Sequence, residues 1–131
     1  MPYVKLERKT ELKSIVEKLY QIIDDSSYNT LGEKLHGIVY HINKNEFSSG
    51  DMNYMLTVSC LYYLTKTEGR YADHQDVLDQ LFEARENIRP ISVMLDTRKL
   101  RGALLCCALE FYRRKVAPYE QSCIEKNGDV Y

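Results

Sequence analysis

The sequence has no tryptophan, only three prolines, and no apolar run close to the length of a membrane-spanning helix. Such a helix needs about 20 consecutive apolar residues, and a secretory leader needs an apolar N-terminal stretch. Neither is present, so we expect a cytoplasmic protein without membrane contact. Neither sign of charge predominates, because the formal net charge is −1. Without a global basic field, nucleic-acid binding is not expected, and DNA binding through a helix-turn-helix arrangement ranks last among the alternatives.

Cysteines are few and lack the spacing of a metal site. The chain has four of them and no C-x-x-C pair: Cys60, Cys106, Cys107 and Cys123. Two adjacent residues of a helix point to different faces, so Cys106 and Cys107 are poorly placed to bind one metal ion. We therefore predict reduced thiols, mostly in the core, with no disulfide framework, no zinc site and no other cofactor.

Catalytic motifs are missing as well. The chain has no H-E-x-x-H, Walker, G-x-S-x-G or dinucleotide-binding motif, and none of its histidines, His36, His41 and His74, pairs with another four residues away. Among all-α enzymes, the class to compare with this sequence is the MazG-like nucleotide pyrophosphatases, which hold magnesium between two carboxylate-bearing helices. The predicted fourth helix carries acidic residues, Asp73, Asp76, Asp79, Glu83 and Glu86, but the third carries only Asp51. A solvated acidic face is the favoured interpretation, and an enzymatic activity is not expected.

What the sequence does contain is helical periodicity. Apolar residues recur at spacings of three and four in five segments, for example Leu12, Val16, Leu19 and Ile23, then Leu100, Leu104, Cys107 and Phe111. The predicted fold is all-α, a single compact bundle of about five to six helices spanning residues 1–131. A β-hairpin over residues 37–42 is a minor alternative.

Local signals predict the boundaries of these helices. Thr10 is a candidate N-cap, which makes residues 1–9 an extended arm, and Asp73 is a candidate cap for the fourth helix. Gly69 ends the third helix, and Pro90 closes the fourth region. The long fifth helix starts near Ser92 or Thr97, kinks at Pro118 and continues as a short sixth helix. Residues 127–131 form a polar tail that either docks or frays.

A basic and aromatic cluster near the C-terminus is the first candidate site. It consists of Arg113, Arg114, Tyr112, Tyr119 and Arg101. The planar guanidinium binds phosphate or carboxylate, and a tyrosine ring can stack on a base. The alternative is a set of solvated cations at a helix end, beside rings that cover the core.

The second candidate lies in the first turn of the third helix, at Asn53 and Tyr54. A helix N-terminus presents free N–H groups and suits an anion. If the Gly50–Asp51 turn faces Arg113, both candidates form one pocket. The alternative is that Asp51 only caps the helix and Tyr54 only packs.

The C-terminal run Leu109–Arg114, Val116–Glu120 and Asn127–Tyr131 resembles a small uncharacterised family of short helical proteins from phages, bacteria and archaea, known as a domain of unknown function. Pro2–Lys5 and Gly50–Tyr54 are similar to two further pieces of that family. The chain departs from the pattern between Glu68 and Arg98. The resemblance implies a compact helical fold in a prokaryotic or phage-infected cell, and it implies no activity.

These observations predict a non-enzymatic binding protein, expected to be a homo-oligomer. Its partner would be a small anionic, nucleotide-like ligand or another protein, in a phage-type accessory or anti-defence role. A structural or protein-interaction module is the alternative, and a pyrophosphatase comes third.

Overall fold

The computed structural model describes residues 4–43, 47–88 and 97–129, and these residues form helices and connections without a strand. The helices are α1 (Leu6–Asp24), α2 (Leu31–Asn43), α3 (Ser49–Thr65), α4 (Tyr71–Asn87), α5 (Arg98–Phe111) and α6 (Ala117–Asn127). A π-helical turn, Tyr112–Val116, joins α5 to α6 and is called the π turn below. The all-α fold is confirmed, and the alternative hairpin at residues 37–42 is wrong because that segment lies in α2.

The first five helices form a closed ring around one core. In space their order is α1, α3, α5, α4, α2, with α2 returning to α1, so each helix has two packed neighbours. The core consists of the predicted stripes, and its most deeply buried members are Leu12, Leu19, Ile42, Met55, Leu56, Leu81, Leu100 and Leu104. Burial of these side chains removes apolar surface from water, and this is the main stabilisation of the fold.

Helix α1 begins earlier than predicted. It starts at Leu6, so the predicted extended arm is wrong for residues 6–9, while residues 1–3 lie outside the described part. Thr10 is not a cap, because its hydroxyl donates to the Leu6 carbonyl, 3.3 Å away, inside the helix. Leu, Glu, Arg and Lys are all good helix formers, and they extend the helix toward the N-terminus.

The early start of α1 places Arg8 against the N-terminus of α3. Its Nε and Nη2 atoms donate to the two carboxylate oxygens of Asp51 at 3.1 and 2.7 Å. Asp51 also accepts from the Ser48 N–H, while Ser48 Oγ accepts from the Asp51 N–H at 3.0 Å, which completes a capping box. The guanidinium of Arg8 holds the pKa of Asp51 below its ordinary value.

Two further boundary predictions differ from the structure. Helix α3 ends at Thr65, before Gly69, which has a φ of +69° in the connection to α4. Asp73 is the third residue of α4 rather than its cap, and its carboxylate accepts from the Arg70 N–H at 3.0 Å. The predicted boundaries at Pro90 and Ser92 fall in residues 89–96, outside the described part.

Near Pro118 the long helix continues through the predicted kink. The Ala117 N–H donates to the Tyr112 carbonyl, five residues back, as in a π-helix. A proline cannot donate a backbone N–H and crowds the preceding turn, and the wider π turn lies directly before it. Helix α6 ends at Asn127, where Gly128 has a φ of +86°. Of the predicted tail, residues 130 and 131 lie outside the described part.

The cysteines divide between core and surface. Cys60 and Cys107 are buried, Cys123 is half-buried and Cys106 is exposed, and all four are free thiols. A hydrogen bond with Cys107, together with burial, raises the pKa of Cys60. This contact joins α3 to α5.

We expect Asp51→Asn to destabilise the fold by about 1–2 kcal/mol near pH 7, because it weakens the cap and removes the charge that pairs with Arg8. The folded-state pKa of Asp51 is lowered, so its stabilisation is present above the ordinary Asp pKa and is lost as pH falls through the folded value. Urea unfolding followed by circular dichroism should show the difference between wild type and variant shrinking toward about pH 3. An equal difference at both pH values would contradict the linkage.

Glycines in two helices provide a matched pair for testing the packing. A Cβ at Gly37 would lie 3.0 Å from the Tyr28 ring and 3.3 Å from Ile22, whereas a Cβ at Gly102 would meet nothing within 4 Å. We expect Gly37→Ala to destabilise by about 1–3 kcal/mol through overpacking. Gly102→Ala should stabilise by up to about 1 kcal/mol, the helix-propensity gain. Thermal unfolding measures both, and a stabilising Gly37→Ala would show that the α1–α2 contact is looser than described.

Candidate functional site

The basic and aromatic cluster is held together by its own carboxylates. Arg113 donates to the two carboxylate oxygens of Glu110 at 3.2 and 2.6 Å, and Arg114 Nε donates to Glu110 Oε1 at 2.6 Å. Hydrogen bonding from Arg113 lowers the pKa of Glu110, so this carboxylate stays ionised near neutral pH. One negative charge thus offsets part of the charge of two arginines that the sequence assigned to a ligand.

The tyrosines of the cluster face α4 rather than the arginines. The Tyr119 ring stacks on Tyr71, with 4.2 Å between the ring centroids and 21° between the planes. Tyr112 donates its hydroxyl to Glu120 at 2.8 Å, and Tyr71 donates to the other oxygen of Glu120 at 3.3 Å. The hydrogen bond to Glu120 raises the pKa of Tyr112. These contacts hold α6 against the start of α4, so the tyrosine rings have a structural role.

The two sequence candidates do not form one pocket. The early residues of α3 lie beside the early residues of α5, because Ser49, Gly50 and Asn53 line the same pocket as Arg98 and Lys99. Arg113 follows Lys99 by fourteen residues of nearly continuous helix, a separation of roughly 20 Å at 1.5 Å per residue. The Gly50–Asp51 turn therefore does not face Arg113, and the condition for a shared pocket is not met. Parallel packing of α3 on α5 is the reason.

Asn53 and Tyr54 separate onto different faces of α3. Tyr54 points toward α1, where Lys9 Nζ lies 5.8 Å from the centre of its ring. Asn53 points toward α5 and is only 2% exposed. Arg101 lies on the exposed side of α5 and is not among the residues that line the pocket.

The Asn53 side chain is incompletely hydrogen-bonded. Its Oδ1 lies 3.3 Å from Thr57 Oγ1, while its buried Nδ2 has no hydrogen-bond partner among the described residues. Thr57 Oγ1 also lies 3.5 Å from Cys107 Sγ, and a hydroxyl has a single proton to donate. A buried amide donor without a partner costs about 1–3 kcal/mol, and a bound water or ion is one of the ways in which such a group is satisfied.

The pocket beside Asn53 has the composition of an anion site. It has a volume of about 230 Å³ and lies between the first turns of α3 and α5. The first N–H groups of a helix have no partner within the helix, and both helix dipoles are positive at this end. Arg98 and Lys99 add cationic side chains, and Gly102 leaves the pocket wall open. We call this cavity the N-terminal pocket.

Sequence reasoning missed Arg98 and Lys99 as site residues. The sequence contained a signal for them. Two adjacent cations at the start of a helix interact unfavourably with its dipole, which suggests a role other than helix stabilisation. The sequence did identify Asn53, on the argument of a helix N-terminus. The cations beside Asn53 are Arg98 and Lys99 rather than Arg113 and Arg114.

No group of three or more His, Cys, Asp or Glu side chains suited to a metal ion occurs in the described ranges. Asp76, Asp79, Glu83 and Glu86 lie on α4, and the Asp51 carboxylate of α3 is bound to Arg8 rather than shared with them. Nor is any helix of residues 4–43, 47–88 and 97–129 both long and apolar enough to cross a membrane.

We expect Glu120→Gln to bring the pKa of Tyr112 down toward its ordinary value, because the carboxylate that favours the neutral phenol is gone. NMR titration of ring-labelled tyrosines measures this directly, with assignment from Tyr112→Phe. Glu125→Gln, on the same helix, is the control and should leave the titration unchanged. An unaltered Tyr112 pKa in Glu120→Gln would mean that the hydroxyl has another partner.

Comparison with known proteins gives one result at the C-terminus. A family model described as a domain of unknown function (DUF6899) matches residues 94–130, which include α5, the π turn and α6. No curated protein and no solved structure matches the chain. The C-terminal part of the chain is thus similar to an uncharacterised family, and its match includes Arg98 and Lys99 of the N-terminal pocket.

Proposed function

We propose that the protein is a non-enzymatic binding protein for a small anionic ligand, which it holds in the N-terminal pocket. The single observation that carries this proposal is the unpartnered, buried Nδ2 of Asn53 beside the first turns of two helices. Once the Asn53 side chain turns toward the pocket, a phosphate or carboxylate oxygen would accept a hydrogen bond from this nitrogen. The same anion would interact favourably with both helix dipoles and with Arg98 and Lys99.

The size of the pocket limits what enters it. A volume of about 230 Å³ is several times that of a water molecule in the liquid, about 30 Å³, but below the usual range for whole organic ligands, about 300–1,000 Å³. We infer that a single phosphoryl or carboxylate head group is bound, with the remainder of a larger ligand outside. A nucleotide bound through a terminal phosphate satisfies this limit.

The negative charge of Asp51 near the pocket does not exclude an anion. Asp51 sits in the first turn of α3, but its two oxygens accept from Arg8, which compensates the carboxylate. Arg98 and Lys99 line the pocket on the α5 side. The positive ends of both helix dipoles and these two cations favour an anion at this end of the bundle.

A phage-type accessory or anti-defence role is the setting that we propose for this binding. It rests on the resemblance of the C-terminal run and on the match of residues 94–130 to an uncharacterised family. A protein that sequesters a nucleotide signal needs no catalytic group, only an anion site of sufficient affinity. A protein-interaction module remains the alternative.

The test is a titration with inorganic phosphate and methyl phosphate, followed by NMR of the Asn53 side-chain amide. Asn53→Leu should weaken binding by roughly tenfold, the loss of one hydrogen bond to a charged group, while leaving stability unchanged or higher. The higher stability follows because the substitution removes an unpartnered buried donor. Arg98→Ala combined with Lys99→Ala should weaken binding to a similar degree.

The matched control is Arg113→Ala combined with Arg114→Ala, which also removes two cations. It should leave phosphate binding unchanged and the helical circular dichroism spectrum intact. If this control loses binding while Asn53→Leu keeps it, the ligand belongs to the basic and aromatic cluster instead. If neither phosphate shifts the Asn53 resonances, the proposal fails and a protein-interaction module is favoured.

A further inference from the structure

A second and larger cavity lies on the opposite side of α5, between α2 and α4. Its volume is about 740 Å³, within the range of pockets that hold small organic molecules. One end is closed where α2 and α4 touch, since a Cβ on Gly32 would lie 2.8 Å from Gln80 Oε1. From there the helices leave a groove toward Asn43 and Asn87. We call it the α2–α4 groove.

The floor of the groove is apolar. Leu35 and Leu100 are buried beneath it, and Val39, Ala84 and Ile88 are half-buried along it. The N-terminal turn of α5 separates the two cavities, because Leu100 lines the groove while Lys99 lines the N-terminal pocket. A ligand that gains from this floor must carry an apolar body, because burial of apolar surface is favourable.

Charge around the groove has the opposite sign to that of the N-terminal pocket. Among the described residues that line it, two are carboxylates, Glu33 and Glu83, and none is lysine or arginine. Glu33 is held in place, since its Oε2 accepts from the Asn29 N–H at 2.9 Å. Glu83 belongs to the acidic face of α4, and no residue of that face lines the N-terminal pocket. The groove therefore disfavours an anion and favours a cation.

Two tyrosine rings at the groove add to this preference. Tyr28 is fixed against Gly37, where a Cβ would lie 3.0 Å from its ring, and Tyr40 is 58% exposed on α2. The face of a tyrosine ring carries partial negative charge and attracts ammonium or guanidinium groups. Carboxylates, aromatic faces and an apolar floor together are what a cation with an aromatic or aliphatic body requires.

We propose that the α2–α4 groove binds a small organic cation, an ammonium or guanidinium group on an apolar body. The body lies on Leu35, Leu100 and Ala84, and the cationic head lies between Glu33 and Glu83. This site does not depend on the N-terminal pocket, because the two cavities share no lining residue.

The experiment compares three probes with the same ring and different charge: phenethylamine, phenethyl alcohol and phenylacetate. Isothermal titration and NMR of the Tyr28 and Tyr40 ring signals report binding to the full chain. Phenethylamine should bind roughly three- to tenfold tighter than the alcohol, the size expected for a cation at an exposed carboxylate pair and ring faces. Phenylacetate should bind weakest.

Two variants separate charge from shape. Glu33→Gln combined with Glu83→Gln should remove the preference for the amine while retaining binding of the alcohol. Ala84→Phe should place a ring in the groove and remove binding of all three probes. The control, Glu125→Gln combined with Glu68→Gln, removes two exposed carboxylates elsewhere and should change nothing.

Three outcomes with the small probes would overturn the proposal. They are equal binding of amine and phenylacetate, an amine preference that survives Glu33→Gln with Glu83→Gln, and no perturbation of the Tyr28 or Tyr40 signals by any probe. Binding of a lysine-rich peptide without binding of phenethylamine would also overturn it, because the groove would then be a protein-docking surface. Phosphate binding at Asn53 is read from separate resonances, so failure here is distinguishable from failure of the proposed function.

Discussion

The contact of α3 with α5 is the constraint on which the rest of the structure depends. Thr57 meets Cys107, and Met55, Leu56 and Leu104 are completely buried, so two helices some 50 residues apart in sequence lie side by side in the same direction. Parallel helices bring equal ends together. The result is two positive dipole ends at one place and an amide nitrogen enclosed between them.

Charge alone does not identify a binding surface in this protein. Arg113 and Arg114 are the most conspicuous cations of the sequence, yet both donate to Glu110 within one turn of helix. Such neighbouring pairs form on an exposed helix at little cost, and they lower the potential that a ligand would experience. The tyrosines beside them hold α6 on α4 through Glu120 and Tyr71. Near the start of α5, Arg98 and Lys99 line a cavity.

Periodicity was enough to predict the helices and most of the core, since Leu12, Val16, Leu19 and Ile23 are all buried as the spacing indicates. Helix starts were less predictable. Helix α1 begins at Leu6, and no local pattern reveals the contact between Arg8 and Asp51 that this start allows. Only part of the candidate site was predictable from the sequence. Asn53 follows from a helix N-terminus, but its partner residues depend on which helices pack in parallel, and that is decided by the shapes of distant side chains.

The π turn has a consequence for how the C-terminus can vary. A π-helical turn holds one residue more than the α-helical turn that it replaces, and each residue of an α-helix turns the chain by about 100°. The turn at Tyr112–Val116 therefore sets the direction in which the Tyr119 ring and the Glu120 carboxylate point. Loss of a single residue from this turn would leave α5 and the pocket at its start in place, yet it would rotate α6 away from Tyr71. The start and the end of this continuous helix can therefore change independently in evolution. The position of its start is fixed by core packing, and the direction of its end is fixed by the one extra residue of the π turn.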